Sequence, residues 1–181
     1  GDYVARARAL RGLIEREADN SERNGTLAPV VVEAMRDAEL FWLMCPTEVG
    51  GAGGGLLTYI SMLEEVSRSD GSSGWTLMDN STATLVAATL CSDSHVERMF
   101  GGARKPIMAL TFAPSGKCVE EGSTIKGTGR YGFGSGIGHA DWVSGGMVVH
   151  NDGKPTMLPG GMPKVLGAFL PKAQIKLLGG W

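Results

Sequence analysis

The hydrophobic pattern of this chain changes period once, near residue 105, and that change limits the folds open to it. Before it, apolar residues recur at helical spacing. After it, they fall in short β-branched runs separated by glycines. Helices first and strands second mean segregated units rather than an alternating α/β sheet. The expectation is an α+β chain, with an all-α unit at residues 1–104 and a β-rich unit at 105–181.

Val4, Ala7, Leu10, Leu13 and Ile14, with Arg6, Arg8, Arg11, Glu15 and Glu17 between them, predict one amphipathic helix ended by Asn24-Gly25. Pro29 suits the first turn of the next helix, which carries Val32, Met35, Arg36 and Ala38. The apolar run Phe41-Trp42-Leu43-Met44 stops at Cys45-Pro46, and residues 47–55 read as a glycine-rich loop. Residues 56–67 form an amphipathic helix, with Leu57, Ile60, Leu63 and Val66 expected on its apolar face and Glu64 and Glu65 off it. Asp70-Gly71-Ser72 is a stop and a new cap. Residues 74–90 carry one charge, Asp79, so a helix there should be buried on most sides. Ser92-Asp93-Ser94 caps a last short helix ending at Phe100.

Glycine supplies 28 of the 181 residues, about twice the usual share of ~7%, and most lie from Gly101 onward. Apolar residues persist between them, so they indicate tight turns rather than disorder. Ile107-Met108-Ala109-Leu110-Thr111 reads as a strand. Cys118-Val119 and Thr124-Ile125-Lys126, around Glu120-Glu121-Gly122, read as a hairpin. Trp142-Val143, Met147-Val148-Val149 and residues 167–171 are further strand-like runs.

Several function classes are disfavoured. A net charge of -2, with no basic stretch longer than a pair, argues against nucleic acid or an anionic membrane surface as partner. No apolar run approaches the ~20 residues of a membrane span, and no secretory signal opens the chain, so a cytoplasmic location is expected. Cys45, Cys91 and Cys118 form no CxxC pair, and His95, His139 and His150 lack metal-ligand spacing, so no metal is expected. Gly127-Thr128-Gly129-Arg130-Tyr131-Gly132 satisfies G-x-G-x-x-G, but the glycine-rich stretch after it cannot open the helix a dinucleotide site needs. Ser135, His139 and Asp141 lie close together without a G-x-S-x-G elbow, which sets a hydrolytic triad aside.

The order of the remaining features is informative. Phe41-Trp42-Leu43-Met44-Cys45-Pro46-Thr47-Glu48-Val49-Gly50-Gly51 is followed by Leu63-Glu64-Glu65-Val66-Ser67-Arg68-Ser69-Asp70-Gly71. The two stretches resemble the acyl-CoA dehydrogenase superfamily, with its P-x-x-x-G-G loop and its helix ending in E-E-x-x-R-x-D. The resemblance spans essentially the whole chain. It implies a helical amino-terminal domain followed by a partial β-barrel-like middle domain that carries the flavin loops. Relatives continue into a carboxy-terminal helical bundle, which this sequence lacks, so the chain resembles a fragment expected to be a poor catalyst alone.

Within the superfamily, Leu110-Thr111-Phe112-Ala113-Pro114-Ser115-Gly116-Lys117 stands where dehydrogenases carry T-E-P-x-x-G-S-D, and the acidic residues are missing. Arg130-Tyr131-Gly132-Phe133-Gly134-Ser135-Gly136, then Ala140-Asp141-Trp142, replaces K-x-W-I-T-N-G. Both departures resemble the oxygenase components of two-component flavin-dependent monooxygenases. The resemblance implies that FMN or FAD, reduced by a separate flavin reductase, is held by Leu110, Thr111, Phe112, Pro114, Ser115, Gly116, Phe133, Gly134 and Ser135. Ser135 is the expected catalytic hydroxyl. Trp75, Met78 and Asn80 are expected on the substrate side, facing a small electron-rich molecule such as a phenol. A homo-oligomer, a tetramer in relatives, is the expected assembly. The alternatives are an FAD-dependent acyl-CoA dehydrogenase and a non-catalytic binding domain.

Overall fold

The computed structural model describes residues 2–179. Its elements follow the order read from the sequence: α1 (Tyr3–Ala9), α2 (Arg11–Asn24), α3 (Pro29–Asp37), α4 (Leu56–Ser69), α5 (Gly71–Leu90) and α6 (Asp93–Phe100). The strands β1 (Met108–Glu121), β2 (Thr124–Thr128), β3 (Trp142–Asn151), β4 (Lys154–Pro155) and β5 (Val165–Pro171) come after them. The strands form one mixed sheet in which β1 pairs antiparallel with β2 and parallel with β3, while β3 pairs antiparallel with β4 and β5.

Two local expectations need correction. The first helix is broken at Leu10, where a 3-10-type bond from the Leu10 amide to the Ala7 carbonyl turns the chain before Gly12, a poor helix former. The buried face of α4 is also rotated from the one expected. Tyr59, Met62, Glu65 and Val66 are buried, whereas Leu57 is 82% exposed and Ile60 also faces outward. Glu65 turns inward because Arg8 donates to it at 3.2 and 2.9 Å and Arg11 at 3.2 Å.

Three other segments fall as read. Asp70 accepts from the Ser73 amide at 2.6 Å and so caps α5. Helix α5 is buried along most of its length, with Leu77, Asn80, Ala83, Thr84 and Ala87 inside. The β1–β2 hairpin forms, although Glu120 and Glu121 remain in β1 and Gly122-Ser123 makes the turn. Residues 112–117, which lie between the strand read at 107–111 and the hairpin, join the two into one strand, β1. The register passes from Thr111 opposite Gly145 to Gly116 opposite Met147, so residues 112–115 bulge out against Gly146 alone.

The junction between helices and sheet is held by side chains. Arg36 donates to the Lys105 carbonyl at 2.6 Å, Trp42 Nε1 to the Pro106 carbonyl at 2.9 Å, and Asn80 Nδ2 to the Met108 carbonyl at 2.8 Å. Asp141 accepts from the Ile107 amide at 2.8 Å, and Thr84 from the Met108 amide at 3.2 Å. Where the chain enters the sheet, these bonds satisfy backbone groups that no helix or ladder serves. Arg36 is itself buried and pairs with Asp141 at 3.2 Å.

The Arg8 contact holds the Glu65 carboxyl below its usual range, and Lys105 and Arg6 do the same for Glu39. A depressed carboxylate contributes stability that is present above its unfolded value, about 4.3, and is lost as pH falls through its folded value. The melting temperature is therefore expected to drop below about pH 4. Glu65→Gln should melt lower than wild type at pH 7, with the gap closing as the pH is lowered. A gap that does not depend on pH would show that the Arg8–Glu65 charge pair contributes nothing.

Candidate functional site

Between the end of α2, the start of α5, residues 127–139 and the exposed face of β3 and β5 lies a cleft of about 2040 Å³. Its wall is built chiefly by residues 129–141, the connection that carries the chain from β2 back to β3 parallel to β1. Such a long irregular segment needs anchors, and side chains supply several of them. The Tyr131 hydroxyl donates to the Gly146 carbonyl at 3.0 Å, and His139 Nε2 meets Thr26 Oγ1 at 3.2 Å. Lys172 Nζ donates to the Gly138 carbonyl at 2.5 Å, and Asp141 is tied to Arg36.

The Tyr131 anchor accounts for part of the glycine excess. A Cβ at Gly116, Gly129 or Gly145 would lie 2.2, 2.6 or 2.6 Å from the tyrosine ring or its oxygen. Three glycines from β1, the connection and β3 thus make a slot that fits one aromatic side chain. Burial in this slot raises the Tyr131 phenol above its ordinary value, with Cys118 adding to it. Tyr131 is therefore a neutral hydrogen-bond donor at physiological pH.

With both ends fixed, residues 133–136 present themselves to the cleft. Phe133 adopts a left-handed conformation, φ 58°, and its ring is 89% exposed. An aromatic residue at positive φ with an unpacked ring has no folding rationale of its own, which marks it as a site candidate. Ser135 follows, and its Oγ accepts a hydrogen bond from Trp75 Nε1 at 3.1 Å. Asp79 lies one turn along α5 from Trp75, and burial pushes its carboxyl up, an effect that the nearby Ser135 hydroxyl partly offsets. Gly136, at φ 66°, rests directly on the carboxamide of Asn80.

The residues expected at the site fall into three groups. Trp75, Thr111, Phe133, Gly134 and Ser135 line the cleft together. Phe112, Pro114 and Ser115 lie in the exposed β1 bulge, Phe112 being 77% exposed, and Gly116 sits beneath Tyr131. Asn80 and Leu110 point into the interior, Asn80 tethering β1 and Leu110 packing between α5 and the sheet, whereas Met78 is half-buried and its backbone carbonyl accepts from Tyr59. Ser135, His139 and Asp141 have separate partners and form no relay.

Sequence reasoning missed Tyr131, which gave no signal because its slot joins glycines far apart in the chain. Among the described residues no cluster of His, Cys, Asp or Glu could hold a metal ion, and no helix is long and apolar enough to cross a membrane.

Residues 5–100 match the family described as acyl-CoA dehydrogenase, N-terminal domain. Among curated proteins, a pigment production hydroxylase of Rhodococcus erythropolis is 22% identical over 98% of this chain and 44% of its own length. The oxygenase subunit HsaA of a flavin-dependent monooxygenase from Rhodococcus jostii is 25% identical over 84% of this chain and 40% of its own. Among solved structures, XiaF from Streptomyces sp., in complex with FADH2 and glycerol, superposes with a TM-score of 0.89 at 21% identity. That match covers 99% of this chain and 43% of XiaF. The chain thus spans less than half the length of the relatives it matches. At that identity the superposition speaks for the fold.

Proposed function

The chain belongs to the acyl-CoA dehydrogenase family, and from that premise we propose that it is the amino-terminal part of an oxygenase that uses reduced flavin to hydroxylate a small electron-rich molecule. The observation that carries this reading is the cleft wall, in which Ser135 stands between an exposed Phe133 and Trp75 with its Oγ held by the Trp75 indole N–H. Bound reduced flavin would supply the reaction with dioxygen.

The residues present fit such a group. Phe133 and Trp75 (58% exposed) offer apolar rings without partners, and Gly134 leaves the backbone open to close approach. Thr111 and Ser135 add polar contacts at the cleft face. Their work would be to bind and orient the ring, to exclude water, and to hold one proton at Ser135 Oγ. The sequence departures at Phe112 and Cys118, where dehydrogenases carry acidic residues, and the hydroxylase and oxygenase relatives both support hydroxylation over acyl-CoA oxidation.

The same reading implies a separate flavin reductase as partner, FMN or FAD as the flavin, and a cytoplasmic homo-oligomer, a tetramer if the family habit holds. The helical unit 1–104 would shape the substrate side of the cavity and the unit 105–181 the flavin side. The test is to supply the full-length protein with reduced FMN or FAD, a phenolic substrate and isotopically labelled dioxygen. Label in a hydroxylated product is expected, with the yield falling on Ser135→Ala by about a hundredfold. An acyl-CoA that bleaches bound oxidised FAD, with no labelled product, would replace this reading with that of a dehydrogenase.

A further inference from the structure

The geometry points to His139 as a proton-sensitive latch: the neutral ring closes the cleft wall onto the helical unit at Thr26, and uptake of a proton releases residues 134–139. The latch belongs to the wall itself, whatever the cleft binds. His139 is half-buried where three parts of the molecule meet. Its Nε2 lies 3.2 Å from Thr26 Oγ1, in the turn that joins α2 to α3. Its own amide donates to the Gly136 carbonyl at 3.0 Å, and the Ile137 amide donates to the Gly134 carbonyl at 3.1 Å. The ring is therefore continuous with the turns that carry Ser135. From the far side, Lys172, just past β5, donates its ammonium to the Gly138 carbonyl at 2.5 Å. Thr26, Gly138 and His139 all line the cleft.

The charges around the ring decide the direction of the response. Lys172 holds its ammonium on the carbonyl of the residue before His139. Asp141, two residues further on, is already engaged by Arg36 and the Ile107 amide. Asp19 and Glu22 of α2, with Arg130 and Lys176, line the same cleft, and no ion pair among the described residues involves His139. A protonated ring can still donate to Thr26, so the hydrogen bond is not what fails. The cost is a second cation in a half-buried place beside the first. Burial and Lys172 accordingly hold the imidazole below its ordinary value. An opened wall lets water reach the ring and frees it from Lys172, which restores that value. Opening thus takes up a proton, and the closed wall loses stability as pH falls from about 6.5 toward the lowered value.

Hydrogen–deuterium exchange of the full-length protein, read by mass spectrometry as protection factors across this pH range, follows the wall directly. In wild type, residues 134–139 should lose protection as pH falls below about 6.5, by at most about tenfold per pH unit, the limit for one proton. The buried helix α5 should keep its own protection. His139→Gln leaves a polar group beside Thr26 but takes up no proton, so its protection should not change with pH. Asp79, whose carboxyl burial raises, is another titrating group near the wall, and a response of its own would persist in His139→Gln. Thr26→Val removes the hydroxyl at an exposed position and should lower the protection of residues 134–139 already at neutral pH. That second variant keeps the test open should His139→Gln fold poorly. The proposal is overturned if wild-type protection of residues 134–139 is the same on both sides of about pH 6.5, if the fall persists in His139→Gln, or if Thr26→Val leaves protection at neutral pH unchanged.

Discussion

Trp42→Ala is expected to cost about 4 kcal/mol of stability, the usual range for emptying a fully buried tryptophan site. Trp42 is 1% exposed, packs edge-on against Phe41 with ring centroids 5.9 Å apart, and donates to the Pro106 carbonyl. Truncation therefore does two things. It opens a cavity in the helical core, and it removes one of the side-chain bonds that hold residues 105–108 as the chain passes into the sheet. Domains have only about 5–15 kcal/mol in total, and the melting temperature should fall by roughly 10 °C. Trp42→Phe separates the two contributions, since it fills most of the space but leaves the Pro106 carbonyl without its donor, at a cost of about 1–2 kcal/mol. Thermal or denaturant unfolding of both variants decides the matter. Equal losses in Trp42→Ala and Trp42→Phe would mean that the bond to Pro106, not the packing, carries the effect.

Gly136→Ala should damage both fold and site. The backbone there is left-handed, at φ 66°, which costs a residue with a Cβ about 1–2 kcal/mol. The new methyl would also lie 2.1 Å from Asn80 Oδ1. Asn80 cannot yield easily, being fully buried and bonded to the Met108 carbonyl, and overpacking of this kind adds about 1–3 kcal/mol. Relief comes most readily by displacing residues 134–138, and with them Ser135, so flavin affinity should fall at least tenfold. Gly132→Ala is the control, because a Cβ there meets nothing within 4 Å, and its effect should stay within about 0.5 kcal/mol. Adding Asn80→Ala to Gly136→Ala should relieve the clash and give a loss smaller than the sum of the two single losses. Additive losses would show that the contact with Asn80 is not the source.

Asn80 also illustrates how far the sequence could be read. A carboxamide in a helix read as buried on most sides announces a buried partner, but not which one. The family resemblance placed Asn80 beside the substrate, whereas its carboxamide here ties α5 to β1 and supports Gly136. Similarly, Leu57 and Ile60 have the spacing of an apolar face with Val66, yet beside Val66 α4 buries Tyr59 and Met62 instead of them. Helical period fixes which residues share a face. Which of two neighbouring faces turns inward depends on what stands opposite, here the arginines that draw Glu65 in.

The sequence by itself determined the order of helices and strands, the change of period near residue 105, the caps at Asp70 and Gly25, and the family, because each rests on residues near one another in the chain. Only the tertiary structure decided that Gly116, Gly129 and Gly145 make a slot for Tyr131, that β1 and β3 run parallel, and that Trp75 closes on Ser135 from a helix some sixty residues away. Those are contacts between distant segments. No local propensity encodes them, since they arise when burying two apolar faces at once leaves each polar group a single partner within reach.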